Sequence, residues 1–313
     1  MSLKGDKGQP SQRFTKKKIR TAAATAALAV VAVLSIVCRG QIRALFPVFG
    51  IESLYMQSES SPLAVFFSDC GSAGCTLVRA DGEYMLIDSG REKAQNSASD
   101  LLHRLGADRL DLAVLTHPDS DHTGSFPEVI GEFGAQRFLT APYCESCDSP
   151  QYAEIESALQ SAGVPIEYAE PGAEYRLGGA RLEVIAPIGT YQKSNDNSVV
   201  LRLTYGEFSA LFTGDISKKA ERDILKSGRD ISADVLLVAH HGSGGSSSEE
   251  FLRAVSPRYA VIEVEESAYL PNGGAIERLE AAGCTILRTD RSGTIAVLTD
   301  GTQEGLTVKE ELP

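Results

Sequence analysis

From Leu63 onward the apolar positions of this chain fall in short runs, and the polar positions gather between them. LAVFF, CTLVRA, YMLID, LDLAVLT, RLEVIAP, SVVLRLTYG, FSALFTG, DVLLVA, YAVIEV, CTILRT and TIAVLT are rich in β-branched side chains and bounded by Gly, Asp or Pro. Such runs predict strands. Amphipathic stretches at 97–105, 125–133, 151–162, 217–227, 247–255 and 274–282 predict helices. Early strands follow one another through turns and later ones alternate with helices, which points to an α/β layered domain. No long linker interrupts residues 63–300 and no internal repeat is evident, so one domain of about 250 residues is expected.

The N-terminal pattern is different. KKKIR precedes TAAATAALAVVAVLSIVC, residues 21–38, which carry no charge. That length is close to the minimum for a membrane span, and the preceding bases predict a cytoplasmic N-terminus and an exported remainder. The expected organisation is a basic cytoplasmic segment 1–20, a single-pass anchor 21–38, a linker 39–61, a hydrolytic domain 62–303 and a tail 304–313. The alternative is a cleaved signal peptide and a secreted product. The apolar run is long for that, and no small-residue cleavage site precedes Arg39 and Arg43. Lipid attachment at Cys38 is disfavoured by the bulky Ile36 and Val37 before it.

Composition is that of an ordinary folded chain of 313 residues, 42% apolar and 23% charged, with a formal net charge of −12. The charge is unevenly placed. Residues 1–43 hold nine Lys and Arg against Asp6 alone, leaving 21 bases and 41 acids, a net of −20, for the rest. A domain that acidic repels polyanions, so long-range capture of nucleic acid is not expected. A small anionic substrate held by metal ions is compatible with it. Six cysteines include two close pairs, Cys70/Cys75 and Cys144/Cys147. A lone CESC is weak as a zinc motif, and the pairs read as structural thiols or local disulfides.

The candidate chemistry lies where predicted strands end. LDLAVLT runs into HPDSDHTGS, so His117, Asp119, Asp121 and His122 follow one strand directly. Imidazole nitrogens and carboxylate oxygens suit Zn²⁺, Mn²⁺ or Fe, and four donors within six residues exceed what one ion takes from one loop. Two adjacent cations are expected. Asp215 follows FSALFTG, and His240 and His241 follow DVLLVA, so four of the five histidines sit at the ends of two strands. His103, in LLHRLGA, reads as a surface or packing histidine on a helix.

In their order these motifs resemble the metallo-β-lactamase fold, and within it the hydrolase domain of ComEC-type competence proteins. FFSDCGSAGCTLV is similar to the opening strand-turn-strand, YMLIDSG to the LIDTG segment, and HPDSDH to the H-x-D-x-D-H form of the metal loop. NDNSVVLRLTYGEFSALFTGD, DVLLVAHHGS and RTDRSGTIAV match later segments, so the resemblance spans about residues 62–300.

The resemblance implies a four-layer αββα sandwich with a dinuclear site. His117 and Asp119 would hold one metal and Asp121 and His122 the other. Asp215 would bridge them, and His240 would complete the second site, with His241 as the alternative. Asp88 would orient the metal loop. Many members supply another histidine before the bridging aspartate. KSNDNS stands there, so Asn195, Asp196 or a water would serve. Likewise ESAYLPNGG lacks the downstream G-H-P histidine, and Gly74 replaces a common acid.

Two cations lower the pKa of a shared water, so hydroxide becomes available near neutral pH. Asp121 would take the released proton, and Ser243 with the amides of GSGGSSS would receive an anion at the next helix. The expected activity is hydrolysis of a phosphodiester in a nucleic acid or nucleotide, by an enzyme anchored outside the cytoplasm. A phosphocholine or cell-wall phosphoester, or a degenerate non-catalytic envelope domain, is the alternative. With one apolar span in this sequence, a DNA-uptake channel is not expected.

Overall fold

The computed structural model describes residues 54–92, 97–142, 149–267 and 269–311. The predicted anchor 21–38, Cys38 and the Cys144/Cys147 pair lie outside them. Among the described residues, no helix is long and apolar enough to cross a membrane.

All eleven expected runs form strands. In chain order the strands are β1 (Leu63–Phe67), β2 (Thr76–Ala80), β3 (Glu83–Ile87), β4 (Leu112–Leu115) and β5 (Phe138–Thr140). Next come β6 (Ile166–Tyr168), β7 (Glu174–Leu177), β8 (Ala180–Ala186), β9 (Val200–Tyr205) and β10 (Phe208–Phe212). The last are β11 (Val235–Leu237), β12 (Tyr259–Ile262), β13 (Thr285–Arg288), β14 (Ile295–Thr299) and β15 (Thr307–Glu310). They make an eight-stranded sheet, β15-β14-β1-β2-β3-β4-β5-β6, and a seven-stranded sheet, β13-β12-β11-β10-β9-β8-β7. Each sheet is antiparallel over one part and parallel over another: β3 to β6 in the first, β10 to β13 in the second.

The period-2 alternation of side chains builds the layers. In β1, Leu63, Val65 and Phe67 join Leu182, Leu201, Phe212 and Val235 of the second sheet in the central core. Ala64 and Phe66 point the other way, onto Leu101, Leu102, Phe126 and Ile130. Leu211, Leu236 and Ala260 on the second sheet's outer face meet Ile224, Phe251 and Leu279. Two sheets face to face, each covered by helices, give the four layers.

The six expected helices begin and end within two residues of the predicted bounds: Ala98–Leu105, Phe126–Phe133, Pro150–Ala162, Lys218–Ser227, Glu249–Val255 and Gly273–Ala281. Ser97, Ser149, Ser217, Ser248 and Asn272 supply side-chain caps to five of them. Four strands escaped the sequence reading: β5, β6, β7 and β15 have three or four residues each, and β6 and β15 lack a fully buried position. Two segment assignments change. Leu54–Ser58, read as linker, is helical, and Thr307–Glu310, read as tail, pairs with β14.

Candidate metal centre

Five neighbouring strands end at one place. Asp88 follows β3, the HPDSDH loop follows β4, Asp215 follows β10, His240 and His241 follow β11, and Glu263 follows β12. β3 and β4 are parallel neighbours in one sheet, as are β10, β11 and β12 in the other. The carboxyl ends of both sheets therefore converge, which is where open α/β sheets place ligands.

Asp215 is buried and central. Around its Oδ1 lie His122 Nε2 at 3.5 Å and His241 Nε2 at 3.9 Å. Around its Oδ2 lie His117 Nε2 at 3.8 Å and His240 Nε2 at 3.7 Å. Asp121 Oδ2 is 3.9 Å from His241 Nε2, and Asp119 Oδ2 is 3.6 Å from His117 Nε2. Two sets of three donors, His117/His122/Asp215 and Asp121/His122/His241, each have ligand atoms within 4.8 Å of one another.

The far side of each buried ring is tied down. His122 Nδ1 is 2.6 Å from Asp88 Oδ2, and His241 Nδ1 is 2.8 Å from the Glu263 carbonyl. His117 Nδ1 lies 3.0 Å from Thr116 Oγ1, whose hydroxyl donates to Asp88 Oδ2. These partners place the proton on Nδ1 and leave the Nε2 lone pair facing inward. The Nε2 atoms of His117, His122 and His241 are buried without a hydrogen-bond partner. Three such orphans around one carboxylate would each cost about 1–3 kcal/mol, and cations bound to the two donor sets would satisfy all of them. The donors fit divalent metal ions.

Electrostatics supports this. Burial pushes the Asp215 carboxyl up, but the His122, His241 and His117 rings outweigh it and hold the group well below its ordinary range. Burial opposes charge on His122, yet Asp215 and Asp88 raise it well above 6.5. Burial lowers His241.

The backbone is held in unusual conformations here. Asp88, His240 and His241 have φ of 56°, 53° and 51°, a region that costs about 1–2 kcal/mol for residues with a Cβ. Gly74 is fixed by contact: a Cβ there would lie 2.6 Å from His122 Nδ1 and 3.0 Å from Asp88 Oδ2. No acidic side chain fits this arrangement, which accounts for the glycine.

Several expectations are redistributed. For the set containing Asp121 and His122 the sequence offers His240 with His241 as the alternative, and in the structure it is His241 whose Nε2 lies with them. The left-handed turn points His240 at the other oxygen of Asp215, where its side chain is 41% exposed. Asn195 reaches the cluster, Nδ2 donating to Asp215 Oδ2 at 3.4 Å. Asp196 does not: its Oδ1 accepts from the Ser217 amide at 3.0 Å. Ser243 Oγ accepts from the Gly245 amide, and the amides of Ser247 and Ser248 are taken by Glu221. The turn expected to receive an external anion is thus occupied by the protein's own buried carboxylate. Cys70 and Cys75 are free buried thiols. His103 is a half-exposed helix residue paired with Glu132.

Thr116, Ser198 and Glu263 were not singled out from sequence. Ser198 Oγ accepts from the Asp215 amide at 3.1 Å. Glu263 accepts from Thr76 Oγ1 at 2.8 Å and the Cys75 amide at 3.3 Å, and burial pushes its carboxyl up to about 8. Its sequence signal was an acid inside the apolar run YAVIEV, beside the two strands already implicated.

The Metallo-beta-lactamase superfamily model matches residues 69–262. Competence protein ComA of Neisseria gonorrhoeae is 34% identical over 236 residues, 74% of this chain and 32% of that protein. ComE operon protein 3 of Bacillus subtilis is 31% identical over 193 residues, 61% of this chain and 25% of that one. The chain therefore spans a third or less of these relatives' length. Among solved structures, the metallo-beta-lactamase fold protein YhfI from Bacillus subtilis superposes with a TM-score of 0.50 at 12% identity, over 72% of this chain and 96% of YhfI. That likeness concerns the fold.

Proposed function

The chain belongs to the metallo-beta-lactamase superfamily, whose members are mostly metal-dependent hydrolases, and from that premise we propose an anchored, extracytoplasmic phosphodiesterase with two divalent cations. The observation that carries the reading is the set of three unpartnered, buried Nε2 atoms converging on Asp215. His122, His241, Asp121 and Asp215 Oδ1 would hold one cation. His117, His240, Asp119 and Asp215 Oδ2 would hold the other, His240 standing in for the absent mid-chain histidine. Zn²⁺ and Mn²⁺ suit this nitrogen and oxygen set. Bound cations supply a nucleophile at neutral pH and offset charge on phosphoryl oxygens.

The residues then divide the work. Asp215 is buried between the sets and fixes their relation. Asp121, with 24% of its side chain exposed, is the acid placed to take a proton at the mouth of the site. Asp88, Thr116 and the Glu263 carbonyl hold the rings in the tautomer that presents Nε2. Asp119 in place of histidine, together with relatives named for competence, supports a phosphodiester over a lactam or thioester. The net charge of −20 beyond residue 43 favours a nucleotide, short oligonucleotide or other small phosphoester over a long polyanion. The apolar stretch 21–38 supports the anchor and the location.

The test is to purify the full chain in detergent, load it with Mn²⁺ or Zn²⁺, and assay bis-p-nitrophenyl phosphate. Asp121→Ala and Asp215→Ala should each lose at least about a hundredfold in kcat while circular dichroism stays native. Parental rates in both variants would refute the two-cation reading.

A further inference from the structure

Arg91 is the unexplained charge at this site. It lies in the loop after β3, against the metal loop. Gly90 N donates to the Gly74 carbonyl at 2.7 Å, and Gly124 N donates to the Gly90 carbonyl at 2.8 Å. Gly124 permits the contact, since a Cβ there would lie 2.1 Å from Glu92 N and 2.4 Å from the Arg91 carbonyl carbon. The backbone under Arg91 is thus held in place.

Its side chain is placed differently. Nη2 donates to the Ser72 carbonyl at 3.2 Å and to Asp121 Oδ2 at 3.4 Å, and 54% of the side chain is exposed. Two open clefts, about 460 and 600 Å³, flank the residue. Glu92, Glu128 and Glu154 line the first; Asp69, Glu92, Glu265 and Asp290 line the second. Among the described lining residues, Arg91 is the only base. A guanidinium that is the only base among the described residues lining these clefts, touching a carboxylate of the proposed metal set, is where an anionic substrate would find an attractive side chain.

We propose that Arg91 is the substrate-anion clamp, passing from Asp121 to a non-bridging phosphoryl oxygen when substrate binds. This deepens the phosphodiesterase reading and rests on it. An exposed pair at this distance is weak, so exchanging it costs little. A guanidinium–phosphate contact is charge-assisted and often bidentate. Asp290 is held by Arg288 at 2.6 Å, and the other acids lining the clefts would repel a substrate carrying further negative charge close to the scissile group, so a diester with one charge is favoured over a monoester with two.

The test uses the full chain loaded with metal. Arg91→Ala should raise KM for bis-p-nitrophenyl phosphate by about tenfold or more and change kcat by less than about threefold. Inorganic phosphate, titrated calorimetrically, should bind the loaded variant weaker by the same factor. Metal content and thermal midpoint should stay parental. Arg91→Lys should recover part of the loss, and guanidinium ion added to Arg91→Ala should recover part of the rest. An unchanged KM and phosphate affinity in Arg91→Ala would overturn the proposal, as would a loss traced wholly to missing metal. If the parental protein binds phosphate through Arg91 but hydrolyses no diester, the clamp stands and the phosphodiesterase reading fails.

Discussion

Asp88→Asn is the sharpest perturbation of the second layer around the proposed cations. Asp88 is buried, and its carboxylate accepts three hydrogen bonds: Thr116 N at 2.8 Å on Oδ1, then Thr116 Oγ1 at 2.7 Å and His122 Nδ1 at 2.6 Å on Oδ2. Asparagine preserves the shape, and it tolerates the left-handed backbone at φ 56°. With its oxygen on the Thr116 amide, its NH₂ faces His122 Nδ1, and the ring must move its proton to Nε2 to avoid donor meeting donor. That proton then points at the cation position. With the amide reversed, the buried Thr116 N–H is left facing a donor instead. Either way one charge-assisted bond is lost, about 1.5–3 kcal/mol of stability. Affinity for the cation held by His122 should fall roughly 10- to 100-fold, the usual effect of removing such a partner. Competition against a chromophoric chelator reads the affinity, and urea unfolding reads the stability. Parental affinity for every bound cation in Asp88→Asn would refute the claim that Asp88 sets the His122 tautomer.

Two further substitutions probe different parts of the account. His241→Ala should abolish the cation of the buried set, whereas His240→Ala should leave that cation at near-parental affinity, as read by metal titration; the reverse order would contradict the placement of the two rings. Burial holds the Glu221 carboxyl above its ordinary 4.5, against hydrogen bonds from Ser248 and Ser247. Because the folded value is raised, this contribution to stability is complete below the unfolded value and is lost as pH rises through the folded one. Urea unfolding between about pH 4 and 7 should therefore show a flatter profile for Glu221→Gln than for the parental chain, and parallel profiles would contradict it.

Much of this was legible in the sequence because the pattern was strong where the core is. LDLAVLT, FSALFTG and DVLLVA announce buried strands by composition, and each is followed directly by a polar residue that lies at the site. The strands that were missed are short or lack a buried face, as in the Glu174–Leu177 alternation and the half-exposed Thr307–Glu310. Spacing brought His117 and His122 together, but the His240/His241 choice depended on consecutive left-handed residues that no propensity specifies. GSGGSSS read as an anion-receiving turn because its amides are plausible donors. Glu221, 26 residues upstream of Ser247, already fills it, and a contact at that sequence distance leaves no trace in a local motif. Arg91 carried no signal in the sequence, since its meaning lies in the acids that fold around it.

The central claim is that the His/Asp cluster holds two cations. Apo protein prepared with a chelator, dialysed against Zn²⁺ or Mn²⁺ and analysed by plasma mass spectrometry, tests it directly. The account predicts about two equivalents per chain in the parental protein and a clear loss in Asp215→Ala. Less than about half an equivalent in the folded parental chain would contradict it.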